Sequence, residues 1–257
     1  MNRPNPKPQG INRQALRTWG MLFLAVGIAG QSLLQNAVLG LKHITNQQLF
    51  QAMEGNSSIM GVATLALVLQ AVEACAVPLF VFLLVEGFRH TSSLKNYALR
   101  VLGVAVLSEL PYNLAIGGKL LDTGSRNPVF ALVLCLAALY FFRRYDQKSW
   151  GSRGIRAAVT LAAVVWAMML KIDHGILCVV LAVTFWLFRK KQNWQVFTGC
   201  LVTMCCCVVS MFYLGAPLAF LAIHFYNGEK GTDNRLVNYL CYPVLLLLFG
   251  LISVLIR

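Results

Sequence analysis

The chain has 257 residues, of which 58% are hydrophobic and only 12% are charged. A soluble domain is about one-quarter charged, so this composition excludes a soluble globular domain, a disordered chain and a disulfide scaffold, and it leaves a polytopic membrane protein. The net charge of +13 is typical of the orientation bias of membrane proteins, so no nucleic-acid partner is predicted.

Residues 1–16 are polar and proline-containing and are predicted to form a cytoplasmic tail, while residues 17–257 are predicted to form one integral-membrane domain. The apolar runs are continuous and do not alternate with polar residues, which favours helices over a β-barrel. We therefore predict an all-α, polytopic transmembrane bundle of about eight or nine segments. In chain order the segments are Arg17–Leu41, Ile59–Gly87, Tyr97–Ile116, Pro128–Phe142, Ile155–Leu170, Ile176–Phe188, Trp194–Leu214, Ala216–Tyr226 and Val237–Ile256.

The distribution of cations predicts the orientation of the bundle. If the N-terminus is cytoplasmic and the segments alternate, most of the 22 lysines and arginines fall on the cytoplasmic side. This bias is what the positive-inside rule requires. Two of the segments are short enough to be tilted or half inserted, namely Ile176–Phe188 and Ala216–Tyr226. The number of segments that cross the membrane can therefore differ from nine by about one or two.

Three glutamates lie within the apolar segments. An ionisable side chain at membrane depth is costly unless it is paired or neutral, so each is a functional candidate. Glu73 lies near the middle of the second segment, Glu86 precedes His90 by one helical turn, and Glu109 precedes Pro111, whose ring can open a polar pocket. The alternative for all three is an interhelical hydrogen bond or an ion pair.

Asp173, His174 and Gly175 form a tight turn that the topology places on the outer side. An adjacent carboxylate and imidazole can supply a base near neutral pH, although on residue type alone such a pair is more often simply part of a solvated turn. The histidines lack the spacing of a metal site, and the eight cysteines lie in apolar stretches, so neither a metal nor a disulfide framework is predicted.

Longer motifs give a family resemblance. The stretch PLFVFLLVEGFRHT at Pro78–Thr91 is followed by LSELPYNLA at Leu107–Ala115, and later by YNGEKG at Tyr226–Gly231. Asn127, Asp173-His174-Gly175 and Tyr242-Pro243 lie in the same order as further matches. From about Leu16 onward the chain resembles the TraX family of bacterial membrane proteins, which is named for the acetyltransferase that modifies the N-terminus of F-type pilin.

The resemblance implies an acetyl-CoA-dependent acetyltransferase in the bacterial plasma membrane, with a pilin-like peptide or another amine as acceptor. The catalytic residues would be His174, oriented by Asp173, or Glu109. The phosphates of acetyl-CoA would meet basic side chains on the cytoplasmic side, where arginine matches phosphate geometry; the same cations can also serve only to set the orientation. These predicted binding residues are Arg89, His90, Lys95, Arg143 and Arg144.

The sequence also departs from the family pattern. Many members carry Asp-His where this chain has Gly27-Ile28, a Gly-Arg pair where it has the stretch after Glu73, and His where it has Leu245. If the missing histidine were catalytic, His174 or His43 would have to replace it. The alternative function is therefore a catalytically inactive scaffold, or a lipid- or peptide-binding membrane protein. A small-solute transporter is a third possibility, ranked last because no inverted repeat is visible.

Overall fold

The structure, a computed structural model, describes residues 10–40, 56–147, 149–231 and 235–256. This part of the chain is helical and contains two isolated β-bridges but no strand, which confirms the all-α prediction. Five helical stretches within it are long and apolar enough to cross a membrane, and they indicate a membrane protein. They are Arg13–Val38, Ser57–His90, Leu94–Gly117, Trp150–Met169 and Val237–Ile256.

The α-helices have the following bounds: α1 Arg13–Ala29, α2 Ser57–Glu73, α3 Ala76–His90, α4 Leu94–Tyr112, α5 Val129–Arg144, α6 Trp150–Met169, α7 Gly175–Leu187, α8 Gln192–Cys205, α9 Ala219–His224 and α10 Arg235–Ile256. Gly30–Val38 extends α1 and Asn113–Gly117 extends α4, both as π-helix. The Asn12 side chain caps α1 by accepting from the backbone nitrogen of Ala15 at 2.8 Å. Helix α1 thus includes residues 13–16, which the sequence assigns to the tail.

The predicted segment Ile59–Gly87 is two helices, because α2 ends at Glu73 and α3 begins at Ala76. Pro78 has no backbone N–H, so it cannot donate to the carbonyl of Ala74 as a continuous α-helix would require. That carbonyl instead accepts from the nitrogen of Val77 at 3.3 Å. The break places the end of α2, and therefore Glu73, deep inside the bundle.

Helices α3 and α7 form the centre of the bundle, since most of the residues of both are buried. They meet through aromatic side chains: Phe82 packs edge to face on Phe185, with ring centroids 5.6 Å apart, and Phe88 packs on Trp186 at 5.2 Å. Helix α6 is peripheral and exposes a band of large apolar side chains that includes Trp166. Such a band is typical of a surface that contacts lipid.

The predicted segments Trp194–Leu214 and Ala216–Tyr226 form an irregular hairpin. Helix α8 ends at Cys205, and short 3₁₀ turns lead to α9, which has only six residues. The side-chain nitrogen of Gln192, at the start of α8, donates to the carbonyls of Ile223, His224 and Tyr226 at 3.0 to 3.1 Å. The hairpin therefore starts and finishes at the same end of the bundle.

That end, which we call the basic end, also contains the first turn of α1. Ile11 and Tyr226 form a β-bridge, and the backbone nitrogen of Arg13 donates to the carbonyl of Glu229 at 2.8 Å. Most of the cations in the described ranges lie here, while Lys119, Arg126 and Lys171 lie at the opposite end. The cations of the basic end are Arg13, Arg17, Arg89, Lys95, Arg100, Arg143, Arg144, Arg153, Arg156, Arg189, Lys190, Lys191 and Lys230.

Candidate functional site

A cavity of about 420 Å³ extends from the basic end into the bundle. Helices α1, α2, α3, α4, α5, α7 and α10 contribute to its wall, which is largely apolar. Along α3 the lining runs from His90 to Ala76, a span of about 21 Å at 1.5 Å per helical residue. We call its opening at the basic end the mouth, and the interior end near Glu73 and His174 the floor.

Cations surround the mouth. Arg13 is held there by the backbone bond that joins α1 to the loop before Gly231, and Lys230 belongs to that same loop. Arg100 bonds back to the carbonyl of Asn96 on its own helix at 3.0 Å. Positive charge concentrated around an opening attracts anions, and arginine binds phosphate with a matching fork of donors. The basic side chains that line the mouth are Arg13, Arg17, His90, Arg100 and Lys230.

His174 lies at the floor, immediately before α7. Its backbone is left-handed, with φ of +54°, which is uncommon for a residue other than glycine. Its Nδ1 lies 3.0 Å from the hydroxyl of Tyr213, and its Nε2 lies 3.7 Å from Asp173 Oδ2. The same Asp173 oxygen accepts a hydrogen bond from the Tyr112 hydroxyl at 3.1 Å. The imidazole is therefore held between a phenol and a carboxylate, with its side chain 15% exposed.

Glu73 reaches the same floor from the last residue of α2 and is 7% exposed. Its Oε2 accepts a hydrogen bond from the Gln31 side chain at 2.6 Å. A Cβ at Gly27 would overlap the Glu73 side chain, so glycine is needed there for α1 and α2 to approach each other. Tyr242 from α10 is buried beside the same cavity.

Glu109 lies outside the cavity lining. One carboxylate oxygen pairs with Arg126 Nη1 at 2.9 Å, and the other accepts from the Asn127 side chain at 2.7 Å. Asn127 also donates to the carbonyl of Ala105 at 2.9 Å. This network joins α4 to the start of α5. The structure brings Asp173 and His174 together, whereas the contacts described for the Glu109 carboxylate go to Arg126 and Asn127; a catalytic role for Glu109 is a prediction from sequence.

Of the five predicted phosphate-binding residues, only one lines the cavity. His90 lines the mouth, whereas Arg89 pairs with Glu86, and Arg143 stacks over the Phe88 ring at 5.9 Å. Lys95 and Arg144 are exposed outside the lining. His43 lies outside the described residues.

The sequence analysis did not single out the other cations of the mouth. Arg13 and Arg17 are four residues apart and so share one face of α1, which is the signal that could have identified them. In the ranges that the structure describes, no group of three or more histidine, cysteine, aspartate or glutamate side chains could hold a metal ion.

The apolar helices and the cavity between them define a helical membrane protein with an internal cavity. The family model described as TraX protein matches residues 38–253. The chain belongs to the TraX family, as its motifs predict. A probable fimbrial assembly protein, FimC of serogroup H1 from Dichelobacter nodosus, is 26% identical over 199 residues, which cover 68% of this chain and 79% of that protein. No solved structure matches the chain.

Proposed function

We propose that the protein is an acetyl-CoA-dependent acetyltransferase of the bacterial plasma membrane, with an amine as acceptor. The observation that carries the proposal is the layout of the cavity, which has cations at the mouth and a histidine between a phenol and a carboxylate at the floor. Acetyl-CoA has a matching layout, with phosphates at one end, a reactive thioester at the other and a long arm between them.

Each part of the cavity has a role in this proposal. Arg13, Arg17, Arg100 and Lys230 bind the phosphates at the mouth, with His90 beside them. The apolar wall along α3 and α4 accommodates the arm of the cofactor. The thioester then lies near the floor, beside the His174 side chain, which is only 15% exposed.

His174 acts as the base. It takes a proton from the acceptor amine, whose nitrogen attacks the thioester carbonyl carbon. A C–N bond forms, the C–S bond breaks, and the sulfur of CoA leaves as a thiolate that takes up a proton. Asp173, which is held by Tyr112, lies close enough to stabilise the imidazolium that forms during the transfer.

The basic end faces the cytoplasm in this proposal, in accordance with the positive-inside rule, and about eight or nine segments enter or cross the bilayer. The mouth then opens to the compartment that contains acetyl-CoA. The acceptor is a pilin-like peptide or another amine; the description of the Dichelobacter nodosus relative as a probable fimbrial assembly protein supports a substrate that belongs to a surface fibre.

Calorimetric titration of acetyl-CoA into the detergent-purified protein tests the binding step. We expect Arg100→Gln to weaken binding by about tenfold, the scale of one charge-assisted contact, and Arg144→Gln to leave it unchanged. Both variants remove one exposed cation from the basic end, but only Arg100 lines the mouth. The reverse ranking would move the phosphate site to the residues predicted from sequence.

Release of CoA, followed with a thiol reagent, tests the chemical step. We expect His174→Ala to abolish release in the presence of an amine and to retain acetyl-CoA binding. His224→Ala is the matched control, because His224 is exposed on α9 and lies outside the cavity. A wild-type protein that neither binds nor turns over acetyl-CoA would refute the proposal. The largely apolar wall would then favour the lipid- or peptide-binding scaffold.

A further inference from the structure

The floor of the cavity contains a carboxylate to which the reaction above assigns no role. Glu73 is 7% exposed and lines the cavity at the level of His174 and Tyr242. Its described hydrogen bond is the one from Gln31. A glutamine at position 73 could accept that bond equally well, so the hydrogen bond explains a polar side chain here but not a charged one.

Among the described residues, no cation pairs with the Glu73 carboxyl group. None of the ion pairs among the described residues includes it, and Arg126 at the opposite end is already paired with Glu109. The arginines and lysine that line the cavity belong to the basic end. The charged neighbour that acts on Glu73 is Asp173, a second carboxylate. An ionisable side chain in a membrane segment costs roughly 3 kcal/mol, so a carboxyl group without a cationic partner there is a candidate functional residue.

The Glu73 side chain is also held in place. Gly27 leaves the space that it occupies, and Gln31, one turn further along α1, binds its Oε2 at 2.6 Å. The carboxylate is therefore a fixed feature of the floor. The cavity has basic side chains at the mouth and the Glu73 carboxyl group at the floor, so the floor suits a ligand group of positive charge.

We propose that Glu73 binds the acceptor of the transfer reaction as a protonated amine and so selects amines over hydroxyl acceptors. The inference rests on the proposed function. The Glu73 carboxylate holds the ammonium group in the cavity beside His174. The ammonium gives one proton to the imidazole, and the neutral amine that results attacks the thioester carbonyl carbon. As the C–N bond forms and the C–S bond breaks, the departing CoA sulfur takes up the second proton from that nitrogen, and the imidazolium releases its proton to solvent. Glu73 thus determines specificity, while His174 remains the base.

The competing explanation is that Glu73 is protonated and only joins α1 to α2 by its bond with Gln31. Two variants separate charge from hydrogen bonding. Glu73→Gln removes the charge and keeps an acceptor for Gln31, whereas Gln31→Ala removes the hydrogen bond and keeps the charge. Glu86→Gln is the matched control, because Glu86 is equally buried but is paired with Arg89 and His90 and lies outside the cavity lining.

The probes are benzylamine and benzyl alcohol, which have similar shapes and differ in charge at neutral pH. Their binding to the full-length protein in detergent is measured by equilibrium dialysis. We expect wild type, Gln31→Ala and Glu86→Gln to bind the amine about tenfold or more tightly than the alcohol, and Glu73→Gln to bind the two equally.

If folded Glu73→Gln still prefers the amine, the inference is wrong. It is also wrong if the wild-type protein shows no preference, and that result does not depend on whether the variant folds. Acetyl-CoA binding is measured on the same preparations. Acetyl-CoA binding without an amine preference refutes this inference and leaves the proposed function intact. A Glu73-dependent preference in a protein that does not bind acetyl-CoA refutes the transfer reaction and supports Glu73 as a cation site.

Discussion

Replacing Glu109 by alanine is expected to destabilise the fold rather than to remove a catalytic base. In the structure its carboxylate accepts from the Asn127 side chain at 2.7 Å and pairs with Arg126 at 2.9 Å. A hydrogen bond to a charged group contributes about 1.5–3 kcal/mol, and leaving the buried Asn127 donor unsatisfied costs about 1–3 kcal/mol. Arg126 is 47% exposed, so the ion pair adds less than about 1 kcal/mol.

These contributions overlap, and together they predict that Glu109→Ala lowers the free energy of unfolding by about 3–5 kcal/mol. For a chain of this length the loss corresponds to a melting temperature lower by roughly 10 °C. Glu109→Gln keeps an oxygen that accepts from Asn127 and is expected to lose only about 1 kcal/mol.

Thermal unfolding in detergent, with CoA release measured on the same samples, distinguishes the two roles of Glu109. A structural role predicts that Glu109→Gln keeps both its stability and its activity. A folded, stable Glu109→Gln that releases no CoA would refute the structural reasoning and restore the catalytic role predicted from sequence.

The remaining predictions concern packing, exposure and surface charge. Gly27→Val is expected to displace Glu73 and lower the melting temperature, whereas Gly61→Val, with open space around its Cβ, leaves it within about 2 °C; equal losses would contradict the close approach of α1 and α2. A maleimide is expected to label exposed Cys205 in the folded protein and buried Cys135 only after denaturation, as peptide mass spectrometry can show; early labelling of Cys135 would contradict its burial. Asp146→Asn removes the charge that pairs with Arg156 and Arg189; the Asp146 side chain is 49% exposed, so the expected cost is less than about 1 kcal/mol. A larger loss in thermal unfolding would show that these pairs act as a network.

The helical class of the fold was predictable because apolar runs leave few alternatives for the backbone in a membrane. The break between α2 and α3 was not predicted, since Ala74 and Cys75 have no turn-forming character of their own. Its signal lies four residues beyond Ala74, at Pro78. Similarly, the hairpin of α8 and α9 depends on Gln192. Its three carbonyl partners are more than thirty residues away, so no pattern in the neighbouring sequence predicts these hydrogen bonds.

The candidate site was predictable only in part. Asp173 and His174 are adjacent in the sequence, and their joint position at the floor follows from the turn before α7. The position of Glu73 beside them depends on the break after α2 and on the space left by Gly27, which are both tertiary features. Orientation rules place cations at one end of a bundle, but they do not distinguish Arg100, which faces the cavity, from Arg144, which does not.

The β-bridge between Ile11 and Tyr226 joins residues that are more than 200 positions apart in the sequence. Arg13 leaves the ribosome early, and Lys230 emerges only after most of the helices have been inserted. The mouth therefore receives the last of its basic side chains, Lys230, late in translation. A nascent chain that stops before Phe225 lacks the β-bridge, Lys230 and helix α10, so it has neither the complete mouth nor the complete wall of the cavity.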